Sequence, residues 1–209
     1  MATDSQSNAY HIWTGGDEGV YMSRSIDSGE SWEQTSIRIS PIDVISTTFP
    51  QVDAGDPGRI AITYLGSENS SELGKPDIDG ENWTGNAHYA TTNVSYHLYI
   101  TLSLNALDPS PTFFTYRVTD DPVQIGSICL NSGDCRDIGG SNRNLLDFND
   151  LHIDREGRVF VAFADGCTDS CALDSDSTAE DSRSRRGSVY YLGSGPSLYD
   201  SVGLMDIPF

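Results

Sequence analysis

Three charged side chains near one another in the second half of the chain, Arg143, Asp147 and Asp150, can present a cation and two carboxylates to a ligand. A guanidinium holds a carboxylate or similar anion through two parallel hydrogen bonds. The three residues stand at the entry to a strand-like segment that begins at Phe148. We take Arg143, Asp147 and Asp150 as candidate catalytic residues, and a purely structural ion pair between Arg143 and Asp147 is the alternative.

Four cysteines form two close pairs in the sequence, Cys129 with Cys135 and Cys167 with Cys171. Disulfides within polar loops would imply an oxidising compartment. Three connectivities exist, and proximity favours the local one. Zinc bound by four thiolates is the alternative, but these spacings fit structural zinc poorly. The cysteines therefore indicate disulfides and an extracellular or cell-surface protein.

Other loop segments offer ligands of a less specific kind. Hard oxygen ligands for calcium occur at Asp77, Asp79 and Glu81 and again at Asp174 and Asp176, although neither group follows the EF-hand pattern. Solvated acidic loops are the alternative, and no other metal or cofactor is predicted. The basic run 183–186 suits an anionic glycan or sulfate, or is a solvated loop or a processing site. Glycosylation sequons begin at Asn69, Asn82 and Asn93.

Residues 25–32, Ser-Ile-Asp-Ser-Gly-Glu-Ser-Trp, predict a specific turn. The Ser25 hydroxyl and the Asp27 carboxylate can accept hydrogen bonds from backbone N–H groups of their own turn, and Gly29 permits a positive φ. Trp32 is then expected to anchor the turn against a sheet. Segments 20–24 and 34–39, on either side, are rich in β-forming residues, so the whole reads as strand, turn, strand.

An internal repeat organises the rest of the chain. Residues 49–64 align without a gap on residues 148–163, 99 positions later. Each copy has a strand led by Phe, a tight turn at 56–58 or 155–157, and a second apolar strand. Third strands are predicted at 96–101 and 188–192 and a fourth at 112–118. Residues 9–13 read as the second strand of an earlier unit whose first strand is missing or very short.

The octapeptide matches the Asp-box, and with the repeat, residues 96–99 and residues 143–167 it gives the chain a family resemblance. From about Ala9 to about Leu192 the sequence resembles the C-terminal half of secreted sialidase-like β-propellers built from BNR (Asp-box) repeats. The resemblance implies an all-β, partial propeller of the six-bladed type with four-stranded antiparallel blades, as one domain over 1–209. About three blades are expected, at 9–40, 48–119 and 147–200, with long loops at 66–94, 120–146 and 165–187.

The resemblance also implies a chemistry. Sialidases use a Tyr nucleophile, assisted by an acidic residue, and three arginines that clamp the substrate carboxylate. Tyr64, Tyr89, Tyr96 and Tyr99 are available here, and their spacing selects none of them. The expected function is glycan processing as an exo-glycosidase in the intact parent, with this chain inactive alone. The alternatives are a non-catalytic glycan- or protein-binding surface or adhesion propeller, and a purely structural repeat module.

Topology indicates which side of such a propeller binds ligands. Because strands alternate in direction within a blade, the Asp-box and the tight turns fall on one side and the three long loops on the other. Long polar loops on a regular scaffold are the usual place for a binding site. The long-loop side is therefore the candidate functional surface.

Composition limits the range of partners. The chain has 31 acidic and 12 basic side chains and a net charge of −19, which argues against nucleic-acid binding. No run is long and apolar enough to span a membrane. A glycan or glycoprotein ligand is expected. An open arc of blades also exposes sheet faces that a ring would bury, so self-association, or packing against missing N-terminal blades, is predicted.

Overall fold

The computed structural model describes residues 1–15, 19–68, 87, 94–128, 145, 149–168, 171, 186–200 and 204–206. The described chain is all-β. Its strands are β1 (Ala2–Thr3), β2 (Ala9–Thr14), β3 (Val20–Ser25), β4 (Ile37–Arg38), β5 (Ser46–Ala54), β6 (Ile60–Ser67), β7 (Ser95–Ser103), β8 (Phe114–Arg117), β9 (Gln124–Ile125), β10 (Asn149–Ile153), β11 (Val159–Asp165), β12 (Arg186–Tyr191), β13 (Ser194–Pro196) and β14 (Leu204–Asp206).

Sheet 1 contains β1 to β4 in sequence order, with antiparallel neighbours. It confirms that residues 9–13 belong to a second strand whose preceding first strand is very short. The fourth strand is shorter than the predicted 34–39. Side chains bond the backbone before it, since Ser23 Oγ donates to the Glu33 carbonyl at 3.0 Å and Gln34 Nε2 to the Trp32 carbonyl at 3.2 Å. Before β4, the Glu33 N–H also donates to the Arg24 carbonyl at 3.1 Å, and within β4 only Ile37 and Arg38 pair with β3.

Sheet 2 contains β5, β6, β7 and β8 in that order, with β9 also paired to β7, and sheet 3 contains β10, β11 and β12. All pairings in both sheets are antiparallel. Both copies of the repeat therefore form the predicted hairpin, and the predicted third and fourth strands pair as expected. A separate small ladder joins β13 to β14.

A bulge interrupts the first strand of sheet 2. The β5–β6 register shifts between Thr48 and Gln51, and Phe49 adopts φ +53° there. Pro50 follows, and a proline has no N–H to donate to the ladder, which is why strand prolines occur at bulges or edges. The Phe49 carbonyl leaves the ladder and instead accepts a hydrogen bond from Asn149 Nδ2 at 2.8 Å.

Two hydrophobic cores hold the three sheets together. Ile60, Ile62 and Tyr64 of β6 pack with sheet 1 in a core that also contains Tyr10, Ile12, Val20 and Met22. A second core lies between sheets 2 and 3. It contains the residues of β11 that stand 99 positions later, Val159, Val161 and Phe163, packed against sheet 2. Sheet 2 contributes Ala61, Leu65, Leu98, Ile100 and Leu102. Equivalent residues of the repeat therefore face the preceding sheet in both cores.

The first strands of sheets 2 and 3, β5 and β10, also run in the same direction. Besides the Asn149 bond to Phe49, the Ile153 N–H donates to Asp53 Oδ2 at 2.8 Å. Both pairs join residues 100 positions apart, one pair near each end of the strands. Strands β5 and β10 therefore lie side by side and parallel, so the same side of the molecule carries the corresponding ends of sheets 2 and 3.

Hydrogen bonds connect the short turns on one side of the molecule, here called the turn side. The Gly58 N–H donates to Tyr10 Oη at 3.0 Å and links sheets 1 and 2. Leu198 links sheets 2 and 3, since its carbonyl accepts from the Asp56 N–H at 2.9 Å and its N–H donates to the Gly157 carbonyl at 3.1 Å. The opposite side, here called the loop side, carries the strand ends from which the long loops leave. The described residues include no helix that could cross a membrane.

Candidate functional site

The Asp-box forms the predicted turn between β3 and β4. Ser25 Oγ donates to Asp27 Oδ1 at 2.6 Å and accepts from the Gly29 N–H at 2.9 Å. Asp27 Oδ1 accepts from the Ser31 N–H at 2.8 Å, and Asp27 Oδ2 accepts from the Ser31 hydroxyl. Gly29 has φ +91°. The Trp32 ring meets the His11 ring edge to face at 6.2 Å, so it contacts sheet 1 as expected.

This network explains the electrostatics of Asp27. Hydrogen bonds from Ser25 and then from Ser31 stabilise the carboxylate and lower the pKa of Asp27 to about 2. The donors all belong to the same turn, and the turn lies on the side away from the long loops. The side chains of Ser25, Asp27 and Ser31 therefore hold the turn together through hydrogen bonds within it.

Of the three candidate catalytic residues, the structure describes Asp150, whereas Arg143 and Asp147 lie outside the described residues. Asp150 is exposed on β10 opposite Ala162, and its Oδ1 accepts from the Leu151 N–H at 2.9 Å. It borders an open depression of about 510 Å³ that is otherwise lined mainly by backbone and apolar groups of β11 and β12. The grouping of the three residues remains a prediction.

Three of the four candidate tyrosines are buried. Tyr64, Tyr96 and Tyr99 expose between 0% and 3% of their surface, and Tyr89 lies outside the described residues. Burial raises the pKa of Tyr64 to about 12 and also raises the pKa of Tyr96, whose hydroxyl lies 2.9 Å from Ser46 Oγ. These phenols are protonated and covered, so they are poorly suited to attack a sugar.

Sequence reasoning did not identify the tyrosine–carboxylate pair near the loop side. Tyr99 Oη donates to Glu68 Oε1 at 2.6 Å. Burial and then the Glu68 carboxylate raise the pKa of Tyr99. The Tyr99 ring also stacks on Tyr64 at 5.5 Å with an interplanar angle of 6°. Tyr99 pairs with Tyr64 of β6 on one side and with Arg117 of β8 on the other. The register of the strands is therefore the signal that could have singled out Tyr99 among the candidate tyrosines.

A second polar group occupies the loop-side end of sheet 3. Asp165 ends β11 directly opposite Arg186, which begins β12. Burial raises the pKa of Asp165, while the Cys167 N–H, which donates to its Oδ1 at 3.0 Å, opposes that shift. Cys167 and Cys171 form a disulfide with a Cα–Cα distance of 5.1 Å, which confirms this local pairing. Cys129 and Cys135 lie outside the described residues.

The arginines that the structure describes form two groups, those that donate hydrogen bonds within the fold and those that are exposed. Several donate within the fold, and these are Arg24 to the Asp108 carbonyl, Arg38 to the Ser40 carbonyl, Arg59 to Asp200 and Arg158 to Asp154. Arg117 and Arg186 are exposed and lie at loop-side strand ends. Arg155 is exposed in the tight turn on the opposite side. Among the described residues of this acidic chain, Arg117 and Arg186 are therefore exposed cations of the loop side.

The remaining ligand predictions fall on segments that the structure does not describe. These are the acidic clusters at 77–81 and 174–176, the sequons at Asn69, Asn82 and Asn93, and residues 183–185 of the basic run. Within the described ranges, no three His, Cys, Asp or Glu side chains are grouped so that they could hold a metal ion.

Comparison with protein-family models, with curated proteins and with solved structures gave no match to this chain.

Proposed function

We propose that this chain forms about three blades of a sialidase-like β-propeller whose loop side recognises acidic glycans. Hydrolysis, in this proposal, requires the intact parent protein, and the chain alone binds without turnover. The parent is a secreted or cell-surface protein, and a disulfide such as Cys167–Cys171 suits that location.

The fold part of the proposal rests on how the sheets repeat. Sheets 1 and 2 have at least four antiparallel strands each, in sequence order. Equivalent residues of the repeat face the preceding sheet in both cores, and β5 and β10 run parallel. Successive antiparallel sheets stacked around an axis are the blades of a propeller, and closed propellers have about four to eight of them. The hydrogen bonds of the Asp-box agree with this assignment.

The observation that carries the functional part is the position of Arg117 and Arg186. The chain has a net charge of −19, yet these two exposed guanidinium groups lie at loop-side strand ends. Arginine binds carboxylates through charge-assisted hydrogen bonds. A terminal acidic sugar is a ligand that such groups recognise.

The second candidate is a propeller that binds glycans and does not process them even in its intact form. The burial of Tyr64, Tyr96 and Tyr99 favours it, because a sialidase needs an accessible Tyr nucleophile. The two candidates predict different activities for the intact parent protein, hydrolysis in the first case and binding alone in the second. For this chain both predict binding without turnover.

Calorimetric titration of the chain with a sialylated trisaccharide tests the proposal. We expect binding, and we expect Arg117→Gln and Arg186→Gln each to weaken it about tenfold, since a hydrogen bond to a charged group contributes about 1.5–3 kcal/mol. Arg155→Gln is the matched control, because it removes an exposed arginine from the turn side, and should leave affinity unchanged. Absence of binding by the wild-type chain, or equal losses in all three variants, would overturn the proposal.

A further inference from the structure

Sheet 3 has an exposed apolar face on the side away from sheet 2. The repeat pairs Phe160, Ala162 and Ala164 of β11 with Ala61, Thr63 and Leu65 of β6. Ala61 and Leu65 are buried in the core between sheets 2 and 3. Phe160 and Ala164 are only partly buried, and Ala162 is exposed.

On the neighbouring strand β12, the difference in exposure from the equivalent residues of sheet 2 is larger. Strand register makes Val189 and Tyr191 of β12 the equivalents of Ile100 and Leu102 of β7. Ile100 and Leu102 are each 3% exposed, because sheet 3 covers them. Val189 is 65% exposed and Tyr191 is 52% exposed. Sheet 3 therefore presents the face that, in sheet 2, packs against the following sheet.

Sheet 1 has the complementary face. On β2 and β3 the residues Tyr10, Ile12, Val20 and Met22 face sheet 2, so the alternate residues His11, Trp13, Tyr21 and Ser23 face away from it. The Trp13 and Tyr21 rings stack at 6.2 Å from directly opposite strand positions. Tyr64 and Tyr99 form the same cross-strand stack on the side of sheet 2 that packs against sheet 1.

This face of sheet 1 is open in part. His11 is exposed, and His11, Trp13, Ser23 and Trp32 line an open depression of about 430 Å³. Sheet 1 thus carries an aromatic pair in the position that, in sheet 2, contacts the preceding sheet. The two open faces are the two halves of one sheet-to-sheet contact that the chain already makes twice internally.

We propose that a second copy of this chain covers both faces, with sheet 3 of each copy packed on sheet 1 of the other. This inference rests on the proposed propeller fold. Three sheets from each copy give a ring of six, within the range of about four to eight blades in closed propellers. A head-to-tail contact of this kind closes into a two-fold ring when the rotation fits and otherwise continues as a filament.

Charge sets the conditions under which the dimer forms. Each copy has a net charge of −19, so the two copies repel each other over long distances. Salt screens this repulsion, with a Debye length of about 10 Å at 0.1 M ionic strength. Apolar burial is not weakened in the same way. The dimer should therefore become tighter as the salt concentration rises.

Sedimentation velocity over a range of protein concentrations tests the proposal with two variants, Val189→Lys on sheet 3 and His11→Lys on sheet 1. Both positions are exposed, so both variants should fold. The wild type should form a reversible dimer, and each variant alone should dissociate at least about tenfold more readily. Ile26→Lys is the matched control, because Ile26 is 77% exposed in the Asp-box turn and lies on neither face.

Mixing the two variants tests the head-to-tail arrangement. The mixture should contain more dimer than either variant alone, because sheet 3 of the His11→Lys chain meets sheet 1 of the Val189→Lys chain with both faces unchanged, whereas the other contact of the ring carries both lysines. If equivalent faces paired with each other, one variant alone would stay dimeric, and the proposed arrangement would be wrong. A wild type that stays monomeric at all concentrations and salt levels would also overturn it.

Glycan titration of the monomeric Val189→Lys variant separates this proposal from the function. If the variant binds as the wild type does, the glycan site does not depend on the dimer. A wild-type dimer that binds no acidic glycan would remove the proposed function and leave the assembly intact. A wild-type chain that stays monomeric and binds acidic glycan would remove the assembly and leave the proposed function intact.

Discussion

Gly58 and Gly157 adopt the same backbone φ of +77° at equivalent positions of the two repeat copies. Each closes a tight turn, in which the Arg59 N–H donates to the Asp56 carbonyl at 2.8 Å and the Gly157 N–H to the Asp154 carbonyl at 2.9 Å. Their surroundings differ. A Cβ on Gly58 would have its nearest neighbour at 3.5 Å, whereas a Cβ on Gly157 would lie 2.0 Å from Ser197 Oγ and 2.8 Å from the Leu198 nitrogen.

These two glycines give a matched pair of substitutions. Gly58→Ala should lower the free energy of unfolding by about 1–2 kcal/mol, which is the cost of a left-handed backbone for an alanine. Gly157→Ala should cost clearly more, because its Cβ also displaces the segment that joins sheets 2 and 3. Urea unfolding measures both. Equal losses would contradict the packing of Leu198 against the second turn.

The Asp-box should make stability depend on pH in the acid range. The pKa of Asp27 is about 2 in the folded chain and has an ordinary value of 3.8. A lowered folded-state pKa stabilises the fold above the unfolded value, and this contribution is lost as pH falls through the folded value. The stability difference between the wild type and Asp27→Asn should therefore be constant above about pH 4 and shrink towards pH 2.

Chemical denaturation at a series of pH values measures that difference. Glu30→Gln changes an exposed carboxylate of the same turn and serves as the control, with no comparable dependence expected. A wild-type advantage that persists unchanged to pH values below about 2 would contradict the hydrogen bonds assigned to Asp27.

Tyrosine ionisation should report on the Tyr99–Glu68 pair. Glu68→Gln removes the negative charge that, with burial, raises the pKa of Tyr99, so Tyr99 should ionise at lower pH in the variant. Tyr64 should still titrate near pH 12. The stability that these protonated phenols provide is complete below the ordinary value of 10.0 and is lost as pH rises through the folded value.

Ultraviolet absorbance of tyrosinate during an alkaline titration follows this change. The same titration of Glu30→Gln should reproduce the wild-type curve. A Glu68→Gln curve identical to that of the wild type would show that Glu68 does not contact Tyr99.

The Cys167–Cys171 disulfide should contribute modestly to stability. The two residues are separated by four positions, so the loop they close is short. The chain-entropy relation gives about 2 kcal/mol for a loop of this length, and we expect the double variant Cys167→Ser/Cys171→Ser to lose no more than that. Alkylation of the native oxidised protein, read by peptide mass, should leave both cysteines unmodified. Alkylation of either one would contradict the bond.

Much of the fold could be predicted from the sequence, because its turns and hairpins are formed by residues close together in the chain. The Asp-box turn follows from Ser25 and Asp27, whose side chains make hydrogen bonds within the turn, and from Gly29, which adopts a positive φ there. The hairpins follow from alternating apolar runs around 56–58 and 155–157. The short β4 could not be predicted, because β-forming residues continue through 34–39 whereas only Ile37 and Arg38 pair with β3.

The polar groups near the loop side depend on contacts that sequence spacing does not reveal. Glu68 and Tyr99 are 31 positions apart and meet because β6 and β7 pair in one particular register. Asp165 acquires its raised pKa from burial that depends on the surrounding fold. The chemistry at Arg143 and Asp147 still rests on the sequence alone.

Incubation of the wild-type chain with a fluorogenic sialoside, with binding and fluorophore release measured in the same sample, tests whether the chain binds acidic glycans without hydrolysing them. We predict saturable binding with no release above the uncatalysed rate. Release that scales with the concentration of the chain would contradict this prediction, because these residues would then hold a complete catalytic site.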